Sequence, residues 1–231
     1  KVKPPLDFET GTKWEYCNTN YLFLASIIER VSKQSLAAFL QKEIFLPLKL
    51  KNTYLYTLTM PVVPKNHVIG FQQVNDHVSV NDLNYLDGVA GDGNIYSSVE
   101  DLLVWAQQVY TSKLIRPATL AQAFQPVKLK NDSIYPYGFG WGIDKINEQF
   151  SHTGGWAGFL NIICRDVKNN RTLIVLSSSS NGKGLNAGRE LFNGRNYVVP
   201  ATTLIKNISL IDGTGTPARP AAVRLEGDKI L

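Results

Sequence analysis

Ser151-His152-Thr153-Gly154-Gly155-Trp156-Ala157-Gly158-Phe159 is the stretch on which the reading of the fold turns. The residues around it alternate with period two. Tyr137-Gly138-Phe139-Gly140-Trp141-Gly142-Ile143 sets aromatics on one face and glycines on the other, as a strand would. Gly155 to Val167 and Arg171 to Ser178 read as two further strands, joined by a tight hairpin at Lys168-Asn169-Asn170. Upstream, the pattern is helical. Asn18-Thr19-Asn20 precedes an apolar run from Tyr21 to Arg30, which predicts a capped and largely buried helix. Ser35 caps an amphipathic helix reaching Leu46, with Pro47 beyond its end. Residues 53–85 hold Pro61 and Pro64 and are expected as short strands and loops. Ser97 and Glu100 form a capping box for a helix through about Tyr110. Arg116-Pro117 opens a short helix, and Asn186 to Phe192 forms the last. Helices first and an antiparallel meander later predict an α+β fold, an antiparallel sheet flanked by helices.

The bulk properties narrow the function classes. With 231 residues, 44% hydrophobic and 19% charged, the chain can bury one substantial core and is unlike a disordered segment. Its longest apolar stretch, Tyr21 to Ile28, is far short of a membrane span, so no transmembrane segment is expected. The net charge of +5 is scattered, with pairs such as Lys49/Lys51 and Lys128/Lys130 alternating, so no nucleic acid partner is expected. Two cysteines, Cys17 and Cys164, make no disulfide framework, and whether they pair stays open. His67, His77 and His152 lack zinc-site spacing, and Gly88, Gly91 and Gly93 do not build a dinucleotide loop; neither metal nor cofactor is expected. The chain opens on Lys1 and closes on Asp228-Lys229-Ile230-Leu231 inside a strand-like pattern, which reads as a piece of something longer.

Two constellations could carry chemistry. Tyr16-Cys17-Asn18 lies just before the first helix, where a phenol and an amide two residues apart could transfer a proton and orient a carbonyl. On the strand, His152 and Thr153 are followed by Gly154 and Gly155, which let a substrate lie against the strand edge beside backbone N–H donors. Trp14, Trp105, Trp141 and Trp156 are mostly core candidates, although Trp141 and Trp156 sit where they could wall a pocket. Cys17 with His152 is a rival nucleophile–base pair. The plainer reading is a small structural residue pointing away from its neighbours.

Taken in order, these segments resemble the serine β-lactamase-related family, which spans class C β-lactamases, D-Ala-D-Ala carboxypeptidases and β-lactamase-fold esterases. Gly11-Thr12-Lys13-Trp14-Glu15-Tyr16-Cys17-Asn18-Thr19-Asn20-Tyr21 is similar to its PGTxWxYSNTNY segment. Ile44-Phe45-Leu46-Pro47-Leu48 with Lys51-Asn52-Thr53, then Gly91 to Ser97 with Asp101-Leu102, then Tyr137 to Trp141, then His152 to Gly155, follow the family order. The resemblance implies a β-lactamase/transpeptidase-like fold and acyl transfer through a serine ester, on a small acyl or peptide substrate. It implies Tyr16 as acid/base, Asn18 as orienter of the substrate amide or ester, and His152 in the place of the more usual Lys. Thr153 and Gly154 would bind substrate, and the Gly155 N–H would be one oxyanion donor. An imidazole, titrating near ~6.5, lacks a permanent charge; this weakens carboxylate binding and favours an ester or peptide substrate.

The departure from the family is upstream. Its nucleophile is the serine of an S-x-x-K motif well before Y-x-N, and residues 1–15 hold no serine. Ser180-Asn181-Gly182-Lys183 matches the string, but it follows the His-Thr-Gly strand in a loop, where no buried helix presents it. The expectation is an N-terminally truncated domain without its nucleophile, inactive alone; a non-catalytic penicillin-binding-like module, or a site completed by the missing segment or a partner, stays open. Residues 203–231, with Leu204-Ile205-Lys206-Asn207 and Ile211-Asp212-Gly213-Thr214-Gly215, resemble the opening strands of D-aminoacylase-type amidohydrolases. The domains are therefore expected as 1–196 β-lactamase-related, 197–202 linker and 203–231 a short β stub of a fused amidohydrolase-like sandwich. By family, the setting is expected to be extracytoplasmic.

Overall fold

The computed structural model describes residues 5–60, 62–75, 77–82, 84–108, 111, 114–194, 203–210, 219–226 and 229–230. The chain divides into two compact units, Lys1–Leu185 and Asn186–Leu231.

The first unit opens with helix α1 (Asn18–Ser32), which Lys33 ends in the left-handed conformation, its N–H reaching Glu29 O. Helix α2 (Leu36–Leu40) is capped by Ser35, whose side chain accepts from the Ala38 N–H, as its sequence predicts. The helical path continues through a π-turn, Gln41–Phe45, and a short α3 (Leu46–Leu48). Phe45, Leu48 and Leu50 are buried there against Val104, Trp105 and Leu114. Strand β1 (Tyr54–Leu55), the hairpin of β2 (Phe71–Val74) with β3 (His77–Val80), and β4 (Ile95–Tyr96) follow, with β1 paired to β4. Helix α4 (Val99–Gln108) and helix α5 (Pro117–Ala123) come next, the latter with proline in its first turn. The pair β5 (Val127–Lys128) and β6 (Ile134–Tyr135) leads to the main sheet. That sheet comprises β7 (Gly142–Asp144), β8 (Gln149–Trp156), β9 (Phe159–Asp166) and β10 (Arg171–Ser177), all antiparallel in the order β10-β9-β8-β7. Helix α6 (Lys183–Phe192) spans the boundary between the units. The second unit holds a three-stranded antiparallel sheet of β11 (Thr203–Leu210), β12 (Arg219–Glu226) and β13 (Lys229–Ile230). Residues 195–202, the proposed linker among them, and Asp212-Gly213, where the pattern suggests a turn, lie outside the described residues.

Several local expectations are corrected. Helix α1 is not largely buried: only Ala25 is, while Phe23, Leu24, Ile27 and Val31 are exposed. Its covered face meets the Gly91 loop, where a Cβ at Gly91 would come within 2.8 Å of the Ala25 Cβ. Its cap is Cys17, not the Asn18–Asn20 triplet, which falls inside the first turn. The predicted strand from Gly155 to Val167 is broken by a two-residue turn at Ala157-Gly158, with Ala157 at φ 50. Gly158 is required there, because a Cβ would lie 2.1 Å from Phe71 N and 2.7 Å from Asn81 O. The glycine alternation at Tyr137–Ile143 is likewise no single strand. Gly138 N–H donates to Trp141 O at 2.7 Å, and Gly140 takes φ 78, folding the segment back before β7. The capping residue of α4 is Ser98, which accepts from Asp101 N–H. Asp101 itself is buried and accepts from Asn52 N–H and Thr53 Oγ1, each at 2.7 Å. It pins the turn after α3 to α4 instead of reaching back to its own cap.

Candidate active site

The edge of β8 organises the site. Strand β7 pairs with β8 only from Gly142↔Ser151 to Asp144↔Gln149. The Ile143 N–H goes to Pro136 O, so the flanking pairs are the ones that exchange hydrogen bonds with β8. By alternation, the backbone N–H groups of Thr153 and Gly155 turn to the same side as that of Ser151. Beyond Ser151 that side is paired with no strand among the described residues. Gly154 and Gly155 keep it clear. A Cβ at Gly154 would meet only Asn161 Nδ2, at 4.0 Å, and one at Gly155 only Leu160 Cδ1, at 3.4 Å. Packing does not demand glycine at either position, unlike at Gly158.

His152 sits at the start of this open edge with both ring nitrogens engaged. Nδ1 lies 2.7 Å from Thr153 O, and Nε2 lies 2.9 Å from the Tyr137 hydroxyl. Tyr137 OH is in turn 3.3 Å from Tyr21 OH, the last residue of the Tyr16-to-Tyr21 segment. The Tyr16 ring is 6.1 Å from the His152 ring, 5.9 Å edge-on from Tyr137 and 6.4 Å from Tyr21, measured between centroids. Trp14 closes the cluster, stacked on Tyr135 at 3.9 Å and tilted against Tyr137 at 5.3 Å. The two constellations singled out from sequence, 136 positions apart in the chain, therefore meet at the edge of β8. Asn18 is exposed on the first turn of α1, directly after the extended cap residue Cys17.

The electrostatics favour protonated phenols. Partial burial, then Tyr21 and Asp92, push the Tyr16 phenol above its ordinary range. Burial, and after it the hydrogen bond shared with Tyr21, push Tyr137 up much further. Tyr16 thus holds its proton at neutral pH, ready to donate it; drawing it off would need a cation close by.

Sequence reasoning missed Tyr137 as the partner of His152 and Tyr21 as the partner of Tyr137, although both stand in quoted motif segments. A hydroxyl-bearing aromatic where glycines signal a turn was the available clue. It also missed Asp87. This buried carboxylate accepts from the Trp156 indole N–H at 2.8 Å and from Asn84 N–H at 2.7 Å, tying the end of β8 to the loop before β4. Trp105 joins the core, as expected, and Trp141 packs on Phe124. Cys17 is exposed and Cys164 buried, and the two form no disulfide among the described residues; the expected buried setting of Cys17 is not observed. Ser180 stands in a turn before α6, with Gly182 at φ 73, and Lys183 is exposed. Among the described residues, no helix is long and apolar enough to cross a membrane.

Comparison with known proteins gives a consistent placement. A penicillin-binding protein of Bacillus subtilis (strain 168) is 33% identical over 223 residues, covering 89% of this chain and 49% of its own length. D-aminopeptidase of Brucella ovis is 28% identical over 148 residues, 64% of this chain and 26% of its own. The chain thus spans about half or less of the length of these relatives. Among solved structures, the octameric penicillin-binding protein homologue from Pyrococcus abyssi superposes with a TM-score of 0.67 at 21% identity, covering 80% of this chain and 44% of that one. D-amino acid amidase from Ochrobactrum anthropi SV3 gives a TM-score of 0.59 at 20% identity, over 79% of this chain and 60% of that one. These structures share the fold, with its antiparallel sheet and flanking helices. The family match extends over residues 2–192, well past half of the sequence, and on that ground the chain belongs to the Beta-lactamase family.

Proposed function

We propose that this chain carries the Tyr-x-Asn and His-Thr-Gly portions of a serine acyl hydrolase acting on an ester, amide or D-peptide. The observation that carries the reading is the 6.1 Å approach of the Tyr16 and His152 rings beside the unpaired edge of β8. In the proposed reaction, a serine hydroxyl attacks the acyl carbon, and the oxyanion is held by the Gly155 N–H and the nucleophile's own N–H. Beside the cation of an S-x-x-K segment Tyr16, as phenolate, takes the serine proton and passes it on to the leaving group, which departs protonated. Water then releases the acyl group, with Tyr16 in the reverse role. Asn18 orients the substrate amide or ester, and Thr153 and Gly154 hold it along the strand. A lysine beside Tyr16, as in an S-x-x-K segment, would supply the cation that its base role requires.

No serine precedes Tyr16 in this sequence, so the isolated chain is proposed to be inactive. Relatives described as D-aminopeptidase and D-amino acid amidase favour D-configured acyl donors. An extracytoplasmic setting, and residues 203–231 as the start of an amidohydrolase-like sandwich, belong to the same proposal.

A fluorophosphonate probe tests it. The isolated chain should remain unlabelled, and the chain produced with a polypeptide bearing S-x-x-K should show labelling on that polypeptide's serine. Labelling of the isolated chain at Cys17 or Ser180 overturns the assignment.

A further inference from the structure

The partners of His152 carry a consequence for what the site accepts. A carbonyl oxygen cannot donate, so the 2.7 Å contact between Nδ1 and Thr153 O requires a proton on Nδ1. In the neutral ring Nε2 is then an acceptor, and the hydroxyl 2.9 Å from it, that of Tyr137, is its donor. With its proton so directed, Tyr137 OH accepts from Tyr21 OH, giving a chain Tyr21 O–H to Tyr137 O–H to Nε2. Tyr137 is braced from behind by Trp14 and met edge-on by Tyr16. Each partner of the imidazole among the described residues is thus uncharged.

We propose that Tyr137 is the positioning residue that occupies His152 Nε2, so that the site offers no imidazole N–H to a substrate carboxylate and selects acyl donors lacking one: esters, amides and peptides without a free carboxylate beside the reacting carbonyl. The inference rests on the acyl-hydrolase reading and sharpens its substrate class. Tyr137 touches neither substrate nor nucleophile in this scheme. It acts by fixing the ring and filling the one nitrogen that could otherwise acquire a proton and turn toward an anion.

Long-range 1H–15N spectra of the histidine rings of the full 231-residue chain, near neutral pH, provide the test. H152Q identifies the His152 signals among the three histidines. The wild type should show Nδ1 protonated and Nε2 as a hydrogen-bonded acceptor. Y137F keeps the ring that packs on Trp14 and should move Nε2 to the position of an unbonded nitrogen, with Nδ1 unchanged. Y21F, which cuts only the outer link, should move it far less. An Nε2 signal identical in wild type and Y137F overturns the proposal, as does a wild-type ring protonated on Nε2 alone.

The substrate clause is read on the same signal. N-acetyl-D-alanine as its carboxylate should leave wild-type Nε2 unchanged and should protonate it in Y137F. The Y137F ring gains about tenfold in preference for the acid over the methyl ester, the worth of one charge-assisted hydrogen bond. A wild-type ring that protonates on adding the acid, or a Y137F ring as silent as the wild type, overturns that clause. Neither arm needs turnover. Absence of any acyl-enzyme would fell the hydrolase reading and leave the ring assignment standing.

Discussion

Two imidazoles in the first unit make nearly the same hydrogen bond in different surroundings. His152 Nε2 lies 2.9 Å from Tyr137 OH, and His67 Nδ1 lies 2.9 Å from Tyr54 OH. The difference is in what surrounds them. The His67 side chain is only 8% exposed, stacked on Tyr96 at 4.8 Å and set 4.4 Å from Tyr56. Among the described residues its Nε2 has no hydrogen bond, and it lies 3.7 Å from an Asp82 carboxylate oxygen, whose sister oxygen accepts from Gly70 N–H. His152 has a carbonyl in place of a carboxylate and borders an open strand edge instead of a closed aromatic box. A histidine with a tyrosine partner is therefore no sign of a site. Access and the character of the second partner decide, and only His152 combines full satisfaction with approachable surroundings.

The contrast predicts unequal outcomes for the same substitution. His67→Ala empties the box and leaves the Tyr54 hydroxyl without its ring partner, and should lower the unfolding free energy by about 3 kcal/mol. His152→Ala, at a partly open position, should cost less than about 1 kcal/mol. Urea titrations of the two variants measure the gap, and a larger loss for His152→Ala breaks the comparison.

Asp87, which ties the end of β8 to the loop before β4, makes the next largest effect. Asp87→Ala leaves the Trp156 indole N–H and the Asn84 N–H without their acceptor, and should cost about 2 kcal/mol. Because Trp156 ends β8, the same change should shift the amide signals of Gly154 and Gly155. Loss of stability with those amides unmoved would mean that the loop and the site edge are independent.

The acid limb of stability should carry a contribution from Asp166. Asp166 is fully buried, and Arg171 followed by Asn169 holds its carboxyl down to about 2. An unfolded aspartate titrates near ~3.9, so this contribution is complete above that pH and is lost as pH falls from there toward the folded value. Asp166→Asn should flatten unfolding free energy over that window. An unchanged slope would assign the acid limb to other carboxylates.

How much of this was legible in the sequence follows from what each signal measures. Period-two patterning located β8, β9 and β10, because alternation reports a pleated surface directly. It could not see the Ala157-Gly158 turn, where the approach of Phe71 and Asn81, 77 or more positions upstream, demands glycine. Residues Tyr137 to Gly142 failed for a related reason: glycines at every second position satisfy both a strand face and a turn, and only tertiary packing chooses. The apolar run of α1 was visible, but burial depends on what covers a helix, which its own composition does not state. Motif order brought Tyr16 and His152 forward. Tyr137 escaped because its role is a contact with a strand residue 15 positions on, and no local pattern encodes it.

Tyr16 should mark the smallest stability effect and the sharpest functional one. Its ring is 45% exposed, yet it packs against Tyr137, Tyr21 and His152. Tyr16→Phe retains those ring contacts and deletes only the hydroxyl, so the unfolding free energy from thermal or urea melts should change by less than about 0.5 kcal/mol. In an assembly that contains a nucleophilic serine, the same deletion removes the proton donor to the leaving group, and acyl transfer should fall by about 10²–10⁴-fold. The two numbers must be read together. A stable variant with undiminished turnover would move the acid role elsewhere on the edge of β8, while a destabilised one would show that the hydroxyl is held in the fold, as the Tyr54 hydroxyl is beside His67.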